Sequence, residues 1–448
     1  MLHKAAAHTA VGQVKKNNED AFLIHEDLNL YMVCDGMGGR AAGEVASHAC
    51  CDLLPKRMEE HRDVLEAYAD EPSSDHRAQA LMMIRSVIGQ VSNEIYDMAR
   101  SDPKLRGMGT TIVALIIAGK NAIVAHAGDS RAYLARGDKA YAVTDDHSVV
   151  MRQLQRGLIT PEDALHSSKS HTVTRAVGLH EELEVDAINI ELMPGDTYVL
   201  CSDGLSRYVT TEEIGRASSS FTLEQVPEAL VGVADKRSGK DNISAVAIRI
   251  DPKQEVEGLN AAMKIDALRQ ISLFQNLSYK EAVRVLSVVA SRSYEEGEQI
   301  IEQGSPGEEF FVGVVGRYRA VLDGQEIATL PAGSFFGEMS LITEEPRLTS
   351  VYAVEPSKVL VIEREDLFAL MRSEPYLATK FLWAFCRVLT ERLAHTGKQL
   401  ASIKFESAME MTPGISDPFD LSALARAAVD AEEAAEKDGE KAAEEQQA

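Results

Sequence analysis

Leu30-Tyr31-Met32-Val33-Cys34-Asp35-Gly36-Met37-Gly38-Gly39 is an apolar run of strand length and composition that stops at an aspartate followed by glycine-rich backbone. A carboxylate at a strand end, beside glycines that let a ligand approach the main chain, suits a hard metal ion. A single Asp-Gly after a strand is ordinarily just a turn. Here the pattern recurs. Thr197-Tyr198-Val199-Leu200-Cys201-Ser202 ends in Asp203-Gly204, and Ile123-Val124-Ala125-His126-Ala127-Gly128 ends in Asp129-Ser130-Arg131. Asp241-Asn242 stands just ahead of Ile243-Ser244-Ala245-Val246-Ala247-Ile248. Four aspartates at four strand ends within the first 250 residues read as converging ligands.

Around these runs, residues 41 to 100 read mostly as two helices, with Val87, Ile88, Val91, Ile95 and Met98 at helical spacing. Gly107-Met108-Gly109-Thr110-Thr111 leads into a strand from Ile112 to Ile117, which Gly119-Lys120-Asn121 turns back. The segment from Thr144 to His171 is polar and partly helical, with Pro161-Glu162-Asp163 as a helix start. Strands outnumber helices and are joined by tight turns. The expected architecture is α+β: packed antiparallel sheets with flanking helices.

At 448 residues the chain has room for two or three domains. A formal net charge of −24 argues against nucleic acid as the main partner, because phosphate neutralisation needs a basic face. The five cysteines (Cys34, Cys50, Cys51, Cys201, Cys386) show no paired metal-ligand spacing, which fits a reduced, cytoplasmic setting. The start, Met1-Leu2-His3-Lys4-Ala5, lacks the apolar core of a signal peptide, and runs such as Ile112 to Ile117 are too short to cross a bilayer. A soluble protein with no membrane partner is expected.

Asn18-Glu19-Asp20, Asp35-Gly36-Met37-Gly38-Gly39, Gly109-Thr110-Thr111, Gly128-Asp129-Ser130-Arg131, Asp146-His147-Ser148, Ser202-Asp203-Gly204 and Asp241-Asn242 follow in the order seen in the type 2C metal-dependent protein phosphatases. Residues 8 to 250 resemble that family. The resemblance implies a β-sandwich between helical layers, two or three manganese or magnesium ions, and hydrolysis of phosphoserine and phosphothreonine. Phosphate monoesters hydrolyse extremely slowly in water, so a very large barrier reduction is needed. Two divalent ions can supply it by acidifying a bridging water and neutralising the phosphoryl oxygens. Oxygen ligands without a Cys/His cluster select magnesium or manganese over zinc. By resemblance, Asp35 bridges the two metals and the Gly36 carbonyl binds one of them. Asp203 and Asp241 complete the second, Glu19 and Asp20 act through metal-bound waters, and Asp129 with Asp203 holds a third, weaker ion. The nucleophile is then a metal-activated hydroxide, with no covalent phosphoenzyme.

The chain departs from the family at several points. Lys15 stands where an arginine usually grips the phosphate, keeping the charge but losing the two-pronged geometry; as a plain surface charge it would have no such role. Met37 replaces the acid histidine proposed for animal members and cannot donate a proton, so leaving-group protonation has no assigned residue. His147 and His126 lie nearby in motif order, though a lone histidine is more often structural. The loop Ala234 to Lys240 lacks the usual asparagine and one glycine, and the segment 149–170 matches the family's substrate-selecting flap.

Residues 251–267 read as a linker and helix, residues 268–405 as a second domain. Helical spacing runs through Leu259, Met263, Leu268, Ile271 and Phe274, and again through Ala282 to Val289. From Tyr294, glycines at 297, 304, 307, 316, 324, 333 and 337 punctuate short apolar strands, as in a small β-sandwich or roll. Tyr376 to Leu400 reads as an amphipathic helix with Leu377, Phe381, Phe385, Val388 and Leu389 on one face. That stripe could pack on the roll or form a homodimer with a second copy. Phe335-Phe336-Gly337-Glu338-Met339-Ser340-Leu341-Ile342 and Pro346-Arg347-Leu348-Thr349 make a compact anion pocket: N–H groups at the turn can cradle a phosphate, Arg347 supplies charge, and Glu338 can accept from a ribose hydroxyl. The cassette from Gly337 through Glu338, Met339 and Ser340 to Arg347 and Leu348 resembles that of cyclic-nucleotide-binding domains. The resemblance implies a β-roll with flanking helices and a cyclic nucleotide as regulatory ligand. Leu348 has no hydrogen-bonding group where guanine-selective domains typically place one, which favours cyclic AMP over cyclic GMP. Residues 406–448 carry 12 acidic against 3 basic side chains and few large apolar ones, the composition of a solvated, disordered tail.

The expected activity is thus metal-dependent dephosphorylation of proteins, regulated in cis by a cyclic nucleotide. The alternatives are a signalling adaptor that binds phosphoproteins without turnover, and a constitutive phosphatase with a nucleotide-blind roll.

Overall fold

The computed structural model describes residues 2–38, 42–160, 162–163, 172–252, 261–339 and 345–411. Ser340, the helix start at Pro161 and the acidic tail beyond residue 411 lie outside the described residues, as do most of the polar joint at 253–260 and part of the segment 149–170. Residues 1–381 form one compact unit, and residues from Leu382 onward belong to a second.

The strands of the first half run in chain order β1 (His3–Ala10), β2 (Asp20–His25), β3 (Leu30–Met37), β4 (Gly109–Thr110), β5 (Ile112–Ala118), β6 (Asn121–Ala127), β7 (Arg131–Arg136), β8 (Lys139–Ala142), β9 (Asp186–Glu191), β10 (Thr197–Cys201) and β11 (Ile243–Ile250). They form two antiparallel sheets, ordered β1-β11-β10-β7-β8 and β2-β3-β5-β6-β9, with β4 paired to the end of β3. Period-two geometry sorts each strand onto two buried faces. Leu30, Met32 and Cys34 pack against helices, while Tyr31 and Val33 meet the facing sheet beside Leu134, Leu200 and Val246. Tyr133, Val199 and Cys201 turn the other way, onto helices Thr211–Ser220 and Gln225–Arg237. A strand covered on both faces reads as an unbroken apolar run, which is why Leu30 to Cys34 shows no polar alternation. The layers are therefore helix, sheet, sheet, helix, as the resemblance implied.

Two expectations need correction. The strand does not stop at Asp35: β3 continues to Met37, because Gly36 and Met37 pair with Thr110 and Gly109. Asp35 is thus inside a strand, where its neighbours on both sides fix it. Residues 41–100 hold three helices, Ala42–Glu59, Arg62–Asp70 and Ser74–Ser101. Pro72 cannot continue a helix, and Ser73 caps the next one by accepting from the His76 N–H at 3.2 Å.

In the second half, helices Ala261–Gln270 and Tyr279–Leu286 precede β12 (Val289–Tyr294), β13 (Gln299–Ile301), β14 (Glu309–Val315), β15 (Arg317–Leu322), β16 (Gln325–Pro331), β17 (Phe335–Phe336), β18 (Ser350–Ala353) and β19 (Ser357–Glu363). These strands make two four-stranded sheets, β12-β19-β14-β17 and β13-β18-β15-β16, over a core of Phe311, Tyr318, Phe336, Val351, Val359 and Val361. The roll begins at Val289, earlier than the sequence texture suggested. Helix Arg364–Ser373 follows, then Pro375–Met411, which extends past Leu400. Leu389 departs from the expected stripe: it is 44% exposed while Leu377, Phe381, Phe385 and Val388 are buried. It follows Val388 by one residue, about 100° around the helix.

Candidate functional site

Asp20 on β2 stands directly across from Asp35 on β3. Like charges opposite each other in an antiparallel pair repel, so this register calls for a cation between or beside them. The backbone around the pair is laced tightly. Gly36 N–H donates to the Glu19 carbonyl at 3.1 Å, and Asp35 exchanges main-chain and side-chain bonds with Thr111 (2.9 and 3.0 Å). Glu19 N–H donates to Asn242 Oδ1 at 2.9 Å, and Asn242 Nδ2 holds the carbonyls of Val11 and Asn17, each at 2.9 Å. Asn242 thereby ties the Asn17–Glu19 loop to the start of β11. Gly36 has no room for a side chain: a Cβ would lie 2.2 Å from the Gly43 carbonyl oxygen.

Asp129 sits in the turn between β6 and β7, Asp203 opens the short helix Asp203–Ser206, and Asp241 lies just before β11. Asp20, Asp35, Asp129, Asp203 and Asp241 interact electrostatically as one cluster. Burial and the neighbouring carboxylates push Asp20 and Asp129 up to about 7, and Asp35 is held well above the carboxylate range for the same reasons. Asp20 Oδ2 accepts from Ser202 Oγ at 2.8 Å, but its buried Oδ1 has no partner. Two cations reach the cluster. Lys15 Nζ is 2.7 Å from Asp241 and 3.9 Å from Glu19, and Arg207 pairs with Asp203 and lies 3.6 Å from Asp129.

An orphaned buried carboxylate oxygen, two aspartates in cross-strand register and charge left uncompensated fit a divalent cation site. Among the described residues, no three of these aspartates bring oxygens within 4.8 Å of one another. Sequence reasoning missed Arg207, Ser202 and the structural part of Asn242; only Arg207, four residues after Asp203 on the same helical turn, carried a readable signal.

One group of described residues does have tighter ligand-like spacing: His126, His147 and Asp186. The Arg175 guanidinium already lies in it, with Nη1 2.8 Å from both His147 Nε2 and Asp186 Oδ1. His126 stacks on His147 with ring centroids 4.4 Å apart, and its Nε2 meets the Asp145 carbonyl at 2.8 Å. Burial, with His147 and Arg284 close by, lowers His126 to about 4, against the favourable influence of Asp186. The folded protein thus resists protonation that the unfolded chain accepts below its ordinary value of about 6.5. Stability is expected to fall as the pH drops from about 6.5 to about 4, by on the order of 3 kcal/mol from this residue. Urea denaturation at pH 7 and pH 5 should show the loss, and His126→Gln should flatten it.

In the roll, Gly337 has φ +76°, and a Cβ there would lie 2.6 Å from Arg347 Nη1. Arg347, 7% exposed, donates from Nη1 to the Gly337 carbonyl (3.2 Å) and from Nη2 to the Glu309 carbonyl (2.8 Å), over the ring of Phe311. Glu338 is also 7% exposed, and Met339 and Leu348 face solvent at 53% and 62%. The structure thus brings Gly337, Glu338 and Arg347 together as a buried polar set with an apolar rim. Among the described residues, no helix is long and apolar enough to cross a membrane.

A family model described as "Protein phosphatase 2C" matches residues 7–240, and one described as "Cyclic nucleotide-binding domain" matches residues 291–374. The chain is 33% identical over 255 residues to "Serine/threonine phosphatase stp" of Listeria monocytogenes, covering 56% of this chain and 97% of that protein. It is 34% identical over 246 residues to "Serine/threonine protein phosphatase PstP" of Mycobacterium tuberculosis, covering 55% of this chain and 45% of that one. The crystal structure of the M. tuberculosis serine/threonine phosphatase PstP/Ppp superimposes with a TM-score of 0.50 at 32% identity, over 56% of this chain and 100% of the other. The chain therefore belongs to the protein phosphatase 2C family, as a metal-dependent serine/threonine phosphatase domain followed by a cyclic nucleotide-binding domain.

Proposed function

We propose that this enzyme dephosphorylates phosphoserine and phosphothreonine in cytoplasmic proteins, and that a cyclic nucleotide bound in the same chain sets its rate. The observation that carries the catalytic half is the meeting of Asp20, Asp35, Asp129, Asp203 and Asp241 from five separate segments around a buried, unpartnered oxygen. Asp35, the Gly36 carbonyl, Asp203 and Asp241 would hold two manganese or magnesium ions, and Asp129 with Asp203 a third. Such ions, when bound, acidify water and neutralise phosphoryl oxygens. The chain's own residues do the rest. Lys15 draws the phosphate in as a point charge, and its pairing with Asp241 keeps it at the cluster until substrate arrives. Glu19 and Asp20 orient water, and Ser202 fixes the rotamer of Asp20. The five free thiols, four of them buried, suit a reducing compartment.

The regulatory half rests on Arg347 and Glu338, buried together at the cassette. A ribose cyclic phosphate offers an anion that a guanidinium can grip and a hydroxyl that a carboxylate can accept from, the two functions that Arg347 and Glu338 carry. Leu348 favours cyclic AMP. Arg347→Leu should weaken cyclic AMP binding by roughly 2 kcal/mol or more, about thirty-fold, in calorimetry. Hydrolysis of a phosphothreonine peptide with Mn2+ should change several-fold on adding cyclic AMP, a coupling of about 1–3 kcal/mol, and Arg347→Leu should remove the response. Turnover indifferent to nucleotide, with no heat of binding, rejects the regulation. A homodimer through the helix Pro375–Met411 belongs to the same reading, supported by the exposed Trp383 and Leu393.

A further inference from the structure

Helix Tyr279–Leu286 lies outside the stretch matched as phosphatase, yet it is built into that domain. Val283 packs on the core between the two sheets, and Tyr279 stacks on Tyr141 with ring centroids 3.8 Å apart. Arg136, itself forked onto Asp196 at 2.6 and 2.7 Å, donates to Tyr279 Oη at 2.6 Å. Two cations of the same helix, Lys280 and Arg284 one turn further on, close on a single carboxylate. Lys280 Nζ pairs with Asp145 Oδ1 and reaches the Thr144 carbonyl at 3.4 Å, and Arg284 Nη2 donates to Asp145 Oδ2 at 2.7 Å. The junction is partly desolvated, so these charges interact more strongly than on open surface.

The segment that carries Asp145 is stitched to both flanks of Asp129. Thr144 Oγ1 accepts from Ala132 N–H at 3.0 Å, and the Asp145 carbonyl meets His126 Nε2. Asp146 takes both prongs of Arg131 at 2.7 Å each. His147 N–H donates to the Gly128 carbonyl at 2.8 Å, and its Nδ1 accepts from Gly128 N–H at 3.2 Å. A carboxylate gripped by Lys280 and Arg284 therefore fixes the strip that fixes the turn holding Asp129.

We propose that Lys280 and Arg284 are positioning residues for the phosphatase reaction: by gripping Asp145 they hold the segment 144–147, and through it the Gly128–Asp129 turn, in the geometry that binds the weaker ion. The inference rests on the reading of Asp129 as an ion ligand. Arg284 also pairs with Glu374, and Glu281 accepts from Lys380 at 2.9 Å, so residues after the roll share the helix that grips Asp145.

The test titrates Mn2+ into the full chain by calorimetry and, in parallel, follows turnover of a phosphothreonine peptide against Mn2+ concentration. Asp145→Asn and Arg284→Met should each weaken the weakest Mn2+ event about five-fold or more, with the same shift in the turnover curve. Their combination should be no worse than the poorer single variant, because both cut the same link. Arg284→Lys keeps the charge on a single-pronged contact and should restore most of the affinity. Variants that only melt earlier, with Mn2+ binding per folded molecule unchanged, overturn the proposal, as do effects that add. Asp129→Asn separates the two readings. If it leaves the weak event intact, the ion assignment falls and the proposal with it; if it removes that event while Asp145→Asn and Arg284→Met do not shift it, only the positioning role falls.

Discussion

Asp35→Asn should reduce turnover of a phosphothreonine peptide at least about a thousand-fold, roughly 4 kcal/mol of barrier, at any Mn2+ concentration. Asp35 is the carboxylate on which the others converge: Asp20, Asp203, Asp129 and Asp241 all act on it. It sits mid-strand, fixed by Gly36 pairing with Thr110 and by Thr111, so no neighbour can swing in to replace it. The amide keeps the shape and loses the charge. In wild-type protein, Mn2+ at a hundred times its dissociation constant should stabilise the fold by about 2.7 kcal/mol, a shift the variant should lose. With chelator present the difference should level, because burial and the neighbouring carboxylates already hold the metal-free Asp35 towards its neutral form. Residual turnover within ten-fold of wild type would reject the role given to this residue, and with it the ion-centred chemistry.

Gly36→Ala should destabilise the folded protein by about 3 kcal/mol and weaken Mn2+ binding with it. The added methyl would sit 2.2 Å from the Gly43 oxygen and 2.5 Å from the Glu19 oxygen, both main-chain atoms with no rotamer to escape into. Relief requires β3 to part from the first turn of helix Ala42–Glu59 or from the Glu19 carbonyl, and each movement displaces a residue of the carboxylate cluster. Gly89→Ala is the control: it lies in helix Ser74–Ser101 with nothing within 4 Å of a Cβ, and should gain up to about 1 kcal/mol. Urea midpoints measured with chelator decide it. An unchanged midpoint for Gly36→Ala would mean the two backbones are not in contact.

Much of this molecule is legible along the chain. Leu30 to Cys34, Ile112 to Ile117 and Ile243 to Ile248 are strands because unbroken apolar runs of that length belong to sheets covered on both faces. The motif aspartates act on one another electrostatically because each stands at a strand or turn that topology brings to one end of the sandwich. Less legible were features that depend on pairing. The extension of β3 through Met37 needed β4, two residues long and separated by three helices. The break after Asp70 was signalled by Pro72, but the interruption at Glu60 and His61 carried no proline or glycine to announce it. Leu389 fell off its predicted face because neighbouring positions on a helix point about 100° apart.

The order of the chain alone settled the layered α+β architecture, because periodicity and local spacing are properties of neighbours, and its motifs carried the resemblance that nominated the carboxylates and the Gly337–Arg347 cassette. Tertiary structure alone decided which charges offset one another. Lys15 on Asp241, Arg207 beside Asp129 and the grip of Lys280 and Arg284 on Asp145 join segments as much as 226 residues apart. A Coulomb interaction depends on distance in space and on the solvent displaced between partners, and neither quantity is written in the spacing of residues along a strand or a helix.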